Sequence, residues 1–175
     1  ILHRKLKSKY IFVSNNFRFG NKRKGDVQLL NKNQNKYNFN LINPKPLYKR
    51  ERIISSTFIR SLIEKGNIKA ANKLLSRPWS IEGVVEKGRM LGRKIGFPTC
   101  NIDIKNYVIP KVGVYAVQIL ISKNKKMYKG IANIGYRPTF NQKKLLLEVN
   151  LFKFSGNLYN KKLTINFLKF TRGEK

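Results

Sequence analysis

Residues 88–101 bring together the side chains and glycines best suited to phosphate chemistry. Gly88, Gly92 and Gly96 recur every four positions, interleaved with Arg89, Arg93 and Lys94. Such a loop can offer backbone amides and cations to a phosphate, and it can equally be a plain hairpin connection. It is not a Walker loop, because no Gly-Lys-Ser/Thr follows. The run continues as Gly96-Phe97-Pro98-Thr99-Cys100-Asn101. Pro98 fixes the backbone just before Thr99, and from an extended segment the Thr99 and Asn101 side chains point the same way. A hydroxyl and an amide oxygen suit Mg²⁺ when nucleotide phosphates and water complete its octahedron. The same two side chains can also simply stabilise a turn. Further on, Glu148 lies between Leu147 and Val149 in an alternating stretch, where an acid costs nothing if its side faces water.

Composition narrows the chemistry. His3 is the only histidine and Cys100 the only cysteine, which excludes Ser-His-Asp triads, multi-histidine metal sites and an intrachain disulfide. A lone cysteine points to a reducing compartment, here the cytoplasm. No run approaches the ~18 apolar residues of a membrane span, so a membrane partner is not expected. Lys and Arg number 38 against 8 Asp and Glu, a formal net charge of +30. That excess suits a polyanion such as RNA. It also suits codon bias, since the basic residues are spread along the chain together with abundant Asn and Ile. At 175 residues and 41% hydrophobic, the chain can hold one well-cored domain, or one plus part of another.

Periodicity supplies the elements that must position these residues. Tyr10, Ile11, Phe12 and Val13 form a buried-strand pattern, and a short helix is expected over 26–30. Ser55 or Ser56 can cap a helix that carries Ile59, Leu62 and Ile63 on one face. Gly66 ends it, and Asn67 can cap a second helix bearing Ala70, Ala71, Leu74 and Leu75. Arg77-Pro78 closes the helical region. Beyond it, strands are expected over 81–86, 114–122, 127–134, 145–152 and 162–168, a spacing that suggests an antiparallel barrel or sandwich.

The segment Gly96-Phe97-Pro98-Thr99-Cys100-Asn101 resembles the Gly-Phe-Pro-Thr-Ala-Asn signature of riboflavin kinases, with Cys100 in the alanine slot. Similar matches follow in family order: Gly113-Val114-Tyr115, Gly130 to Gly135, Arg137-Pro138-Thr139-Phe140, Leu147-Glu148-Val149 and Phe154 to Tyr159. Upstream, Phe17-Arg18-Phe19-Gly20, Arg23 to Asp26 and the segment Ile54-Ser55-Ser56-Thr57-Phe58-Ile59-Arg60 resemble the end of an FMN adenylyltransferase domain. As a whole the chain resembles the C-terminal part of a bacterial bifunctional riboflavin kinase/FMN adenylyltransferase.

That resemblance implies a mixed fold: a six-stranded antiparallel barrel over 76–175, preceded over 1–75 by the α/β tail of a Rossmann-like nucleotidyltransferase. It implies transfer of the ATP γ-phosphoryl group to the riboflavin 5′-hydroxyl, with FMN a further ligand of the full-length protein. By position, Thr99 and Asn101 would bind Mg²⁺ and nucleotide, and Glu148 would be the catalytic base. Gly88, Gly92, Arg93 and Gly96 would contact phosphates, while Ser55, Ser56, Thr57 and Arg60 would belong to the ATP site of the other domain. Departures are Asn16 and Ser14 before the Phe-Arg-Phe-Gly run, and Ser155, Asn157 and Asn160 in the later motif. The sequence from Phe167 onward resembles the approach to a C-terminal helix that is not present, so a piece of a longer protein is expected. The alternatives are an enzyme-derived, RNA-bound structural subunit and a flavin- or nucleotide-binding regulator without turnover.

The adenylyltransferase of this family also needs a His-x-Gly-His motif, which a chain with one histidine cannot supply. Incubated alone with FMN, ATP and Mg²⁺, the chain should form no FAD. Catalytic release of pyrophosphate with FAD, followed by chromatography, would contradict this.

Overall fold

The computed structural model describes residues 3–49, 51–86, 99–121, 126–138 and 143–173. They fall into two compact units, residues 1–54 and 55–175.

In the first unit, β1 (Tyr10–Phe12) pairs in parallel with a strand at Asn40–Ile42. Between them lie a short hairpin of β2 (Arg18–Phe19) with β3 (Gly25–Asp26), then α1 (Val27–Lys32) and α2 (Gln34–Tyr37). The strand at Asn40–Ile42 is β4, and β5 (Tyr48–Lys49) with β6 (Arg52–Ile53) forms a second hairpin. Parallel strands need a crossover, and α1 and α2 supply it. The Asp26 carboxylate accepts the Leu29 N–H at 2.8 Å, so an acid sits at the positive end of α1. Ile11, Val13 and Leu30 form the small core.

The second unit opens with α3 (Ser56–Glu64) and α4 (Ile68–Leu75). Ser55 caps α3, its hydroxyl accepting the Phe58 N–H at 3.2 Å, and Gly66 follows the helix at φ 74°. Asn67 stands at the start of α4, but its side chain makes no capping bond, contrary to expectation. Its carbonyl accepts the Ala71 N–H, the first intrahelical bond of α4. Ile63, Ile68 and Ala71 are buried in the same core as the strands that follow. Asn72 fastens α4 to two of those strands: its Nδ2 donates to the Phe167 carbonyl at 2.8 Å and its Oδ1 accepts the Trp79 N–H at 2.7 Å.

Six described strands then form one antiparallel sheet: β7 (Trp79–Val84), β8 (Cys100–Ile102), β9 (Gly113–Ile121), β10 (Met127–Pro138), β11 (Lys143–Leu151) and β12 (Lys162–Arg172). Their spatial order is β7-β12-β9-β10-β11-β8. Strict alternation along β9 buries Tyr115, Val117, Ile119 and Ile121, which meet Leu163, Ile165 and Phe167 of β12 and Leu147 and Val149 of β11. Tyr115 packs edge-on against Phe167 and Phe170, with ring centroids 5.2 Å apart in each case. The expected 127–134 strand runs on to Pro138 because β11 goes on pairing with it beyond Ile134, where its pairing with β9 ends. β8 is too short to register as a period-two pattern and was not among the strands read from periodicity.

The sheet curls until its edges meet. Glu86, just past β7, forms an antiparallel bridge with Asn101 of β8, and its N–H donates to the Asn101 carbonyl at 2.9 Å. Gly83 makes the approach possible, since a Cβ there would overlap the Ile102 side chain. Ile102 is fully buried and β-branched, so it has little freedom to yield. Gly83→Ala should therefore lower stability by about 1–3 kcal/mol, the usual range for overpacking. A urea midpoint that drops without a change of slope would be the signature.

Candidate functional site

Closure of the sheet lines up residues far apart in sequence. In cross-strand register, Glu86 lies opposite Asn101, Asn101 opposite Glu148, Glu148 opposite Asn133, Asn133 opposite Val114, and Val114 opposite Arg172. Directly paired residues share a face, so this row lies on the side away from Ile102, Leu147 and Ile134 of the core. Three of the sequence-derived candidates, Thr99, Asn101 and Glu148, thus come together, Thr99 being two residues from Asn101 on the same strand face.

Glu148 is half-buried and lines a cavity of about 420 Å³ with Thr99, Ile131, Asn133, Asn150 and Arg172. Asn150 is 9% exposed. A second cavity, of about 620 Å³, is bounded by Thr99, Cys100, Val85 and the 154–159 turn. That turn is held against the end of β7 by two backbone bonds, Val85 N–H to Lys161 O at 3.0 Å and Asn160 N–H to Val85 O at 3.1 Å. Leu158 anchors it in the core, and the Phe154 ring meets Tyr128 edge-on at 5.3 Å. Thr99 lines both cavities.

Asn101 is 7% exposed, and its Oδ1 accepts no hydrogen bond among the described residues. A buried carbonyl oxygen left without a donor is costly, and a cation is one group that would satisfy it. Among the described residues no three His, Cys, Asp or Glu side chains cluster as a metal cage. A hard divalent ion here would thus lean on oxygens such as Thr99 and Asn101 and on ligand phosphates, which is how Mg²⁺ is commonly held.

Gly88, Gly92, Arg93 and Gly96 lie outside the described residues. Ser55, Ser56, Thr57 and Arg60 are exposed at the start of α3 and line neither cavity, and the Ser55 hydroxyl is engaged as the cap. Asn150, Arg172 and Glu86 were not singled out from sequence. Asn150 shares the alternation of Glu148, which is a signal; Arg172 and Glu86 reach the row only through pairing. A further cavity beside Glu82, Asp103 and Tyr107 has its acids matched by lysines, Lys162 to Glu82 at 2.6 Å and Lys105 to Asp103 at 3.6 Å. The Lys162 ammonium, hydrogen-bonded to Glu82, holds that carboxyl below its usual range.

The riboflavin kinase family profile matches residues 75–175, and the FAD synthetase profile matches residues 1–58. A bifunctional riboflavin kinase/FMN adenylyltransferase from Buchnera aphidicola of Schizaphis graminum is 44% identical over 99% of this chain and 56% of its own length. The protein of the same name from Escherichia coli K12 is 37% identical over 99% of this chain and 55% of its own. The chain therefore spans about half the length of these curated relatives. A solved structure described as a macrolide-efflux protein from Streptococcus pneumoniae superposes with a TM-score of 0.80 at 32% identity, covering 95% of this chain and 53% of that one. Among the described residues no helix is long and apolar enough to cross a membrane. Nothing in the relatives' names supports an RNA-bound role.

Burial pushes the Cys100 thiol up to about 11. Although it borders the larger cavity, it should react with a neutral thiol reagent far more slowly than an unfolded cysteine at pH 8, because the thiolate is the nucleophile. Labelling in buffer and in urea, read by mass, would test this; equal rates would mean that the thiol is not buried as described.

Proposed function

The chain belongs to the riboflavin kinase family, and from that premise we propose that it phosphorylates the 5′-hydroxyl of riboflavin with ATP, giving FMN and ADP. The observation that carries this reading is the register that sets Glu148 opposite Asn101. It puts a half-buried carboxylate beside a buried amide oxygen that wants a positive partner, in a chain otherwise poor in acids.

The two cavities fit two substrates. The one containing Glu148 takes the ribityl end of riboflavin, so that the 5′-hydroxyl reaches the carboxylate. The larger one, walled by Val85, Leu158 and Tyr159, takes the nucleotide. Thr99, common to both, marks where the γ-phosphate crosses from donor to acceptor. Glu148 accepts the proton of the 5′-hydroxyl as its oxygen bonds to the γ-phosphorus, and the bond from that phosphorus to the β,γ-bridging oxygen breaks to release ADP. Thr99 and Asn101 would hold Mg²⁺, which when bound supplies charge neutralisation for the phosphates. The side chains' own work is orientation and proton acceptance, which is most of what phosphoryl transfer asks of a protein. A reducing, ATP-supplied cytoplasm is the setting this chemistry fits. Whether the longer relatives' second activity has a counterpart here is a separate matter, which the FMN incubation described above addresses.

Two substitutions separate the roles. Glu148→Gln keeps size and hydrogen bonding but removes the base, so turnover of riboflavin to FMN should fall about 10²–10⁴-fold, with riboflavin and ATP still bound. Asn101→Ala and Thr99→Ala should mainly weaken use of Mg²⁺-nucleotide, with partial recovery at high Mg²⁺. Steady-state FMN formation with a Mg²⁺ titration measures both effects. Near-normal turnover by Glu148→Gln would remove the carboxylate from the mechanism.

A further inference from the structure

Four side chains of the outer face meet in the cavity around Glu148. Asn133 lies directly opposite Glu148 on β10, Asn150 is two residues further along β11, and Ile131 lies opposite Asn150. All four line the cavity of about 420 Å³. Directly paired side chains have Cβ atoms about 5 Å apart, and two residues along a strand are roughly 7 Å apart. A molecule whose hydroxyl reaches Glu148 therefore passes one amide across the sheet and another along the strand. Asn150 and Ile131 make an unusual pair: the amide is 9% exposed, while the aliphatic side chain across from it is 42% exposed. Solvation alone would favour the reverse. A buried polar group and an exposed apolar one, side by side in one cavity, suit a ligand that is polar along part of its length and apolar beyond.

The row also sets a direction. Asn101 pairs with Glu148 from β8 and Asn133 pairs with it from β10. Phosphoryl transfer keeps the attacking and leaving oxygens roughly in line, on opposite sides of phosphorus. With the nucleotide on the Thr99 and Asn101 side, the acceptor approaches from the side of Asn133.

Resting on the functional reading above, we propose that Asn133 and Asn150 recognise the secondary hydroxyls of the ribityl chain, so that the site selects a flavin carrying a polyol over one carrying a plain hydroxyalkyl chain. An amide has two N–H donors and a carbonyl acceptor with two lone pairs, so it can serve a hydroxyl and keep a protein partner as well. A hydroxyl both donates and accepts, which is what an amide offers in return. Ile131, exposed beside Asn150, supports the apolar ring where the polyol ends. Glu148 handles the terminal hydroxyl, and the two amides tell the rest of the chain apart from hydrocarbon.

The test compares riboflavin with its hydroxypentyl analogue, which keeps the ring and the terminal hydroxyl but lacks the secondary ones. Flavin fluorescence quenching gives the Kd of each for the full chain with ADP and Mg²⁺ present. A site built to hydrogen-bond hydroxyls discriminates against the ligand that lacks them, so the unaltered chain should hold riboflavin more tightly. Asn133→Ala and Asn150→Ala should each weaken riboflavin binding about 5–10-fold, the scale of one net hydrogen bond, and leave the analogue's Kd unchanged. Gln118→Ala, on the outward alternation of β9 but lining neither cavity, should alter neither Kd. Because Asn150 is buried, its loss can disturb folding; Asn133 is half-buried, and Asn133→Ala decides the matter through the same comparison. A loss that falls equally on both flavins, or no loss at all, overturns the proposal. FMN formation by the unaltered chain, measured alongside, separates the two failures: if FMN forms, only the recognition by Asn133 and Asn150 is wrong. If riboflavin neither binds nor reacts, the proposal falls together with the kinase reading.

Discussion

The placement of a three-residue strand governs the rest of this molecule. β8 is inserted between the end of β7 and β11, and its register decides which residue faces Glu148. A slip by one position would turn Ile102 outward and send Asn101 into the core, burying an amide among aliphatic side chains without a partner. Ile102 prevents the slip by filling the space that Gly83 leaves, and the Glu86 N–H holds the Asn101 carbonyl from the other edge. The polar row on the outside is thus fixed by packing on the inside.

The same logic extends across the sheet. Alternation along β9, β11 and β12 creates two faces with different tasks. The inner face carries Tyr115, Phe167, Leu147 and Ile165 and provides the cohesion; the outer face carries Glu148, Asn133, Asn150 and Arg172 and borders a cavity. Helices α3 and α4 share the inner core, and Asn72 ties them to the backbones of Trp79 and Phe167, so these helices and the barrel strands form one compact unit beginning at Ser55. The family matches end at 58 and begin at 75. That leaves most of the helical pair between them, structurally joined to the strands.

Charge adds a further constraint. A chain carrying a formal +30 attracts anions everywhere on its surface, so affinity for phosphate as such distinguishes no one site. Acids are the scarce currency. Three of them are paired with a neighbouring cation: Asp26 with Arg18, Glu82 with Lys162 and Asp103 with Lys105, and Asp26 also accepts the Leu29 N–H. Glu86 and Glu148 are the two that fall in register with the buried Asn101.

Local periodicity was enough to identify the helices at 56–75 and the long strands, because these follow from short-range alternation and capping chemistry. Motif resemblance named Thr99, Asn101 and Glu148 and the barrel they belong to. Sequence could not foresee that Asn67 would leave its cap unmade, since that depends on the turn imposed by Gly66 and the packing of α4. Nor could it find β8, whose three residues are too few for a period. Least legible were the neighbours: Glu86 is 62 residues from Glu148 and Arg172 a further 24 on, and nothing local links them. Their alignment was decided only when core packing fixed the strand registers and drew the edges of the sheet together, because a side chain's face is written in its own strand, while its partner across the sheet is set by how the whole sheet closes.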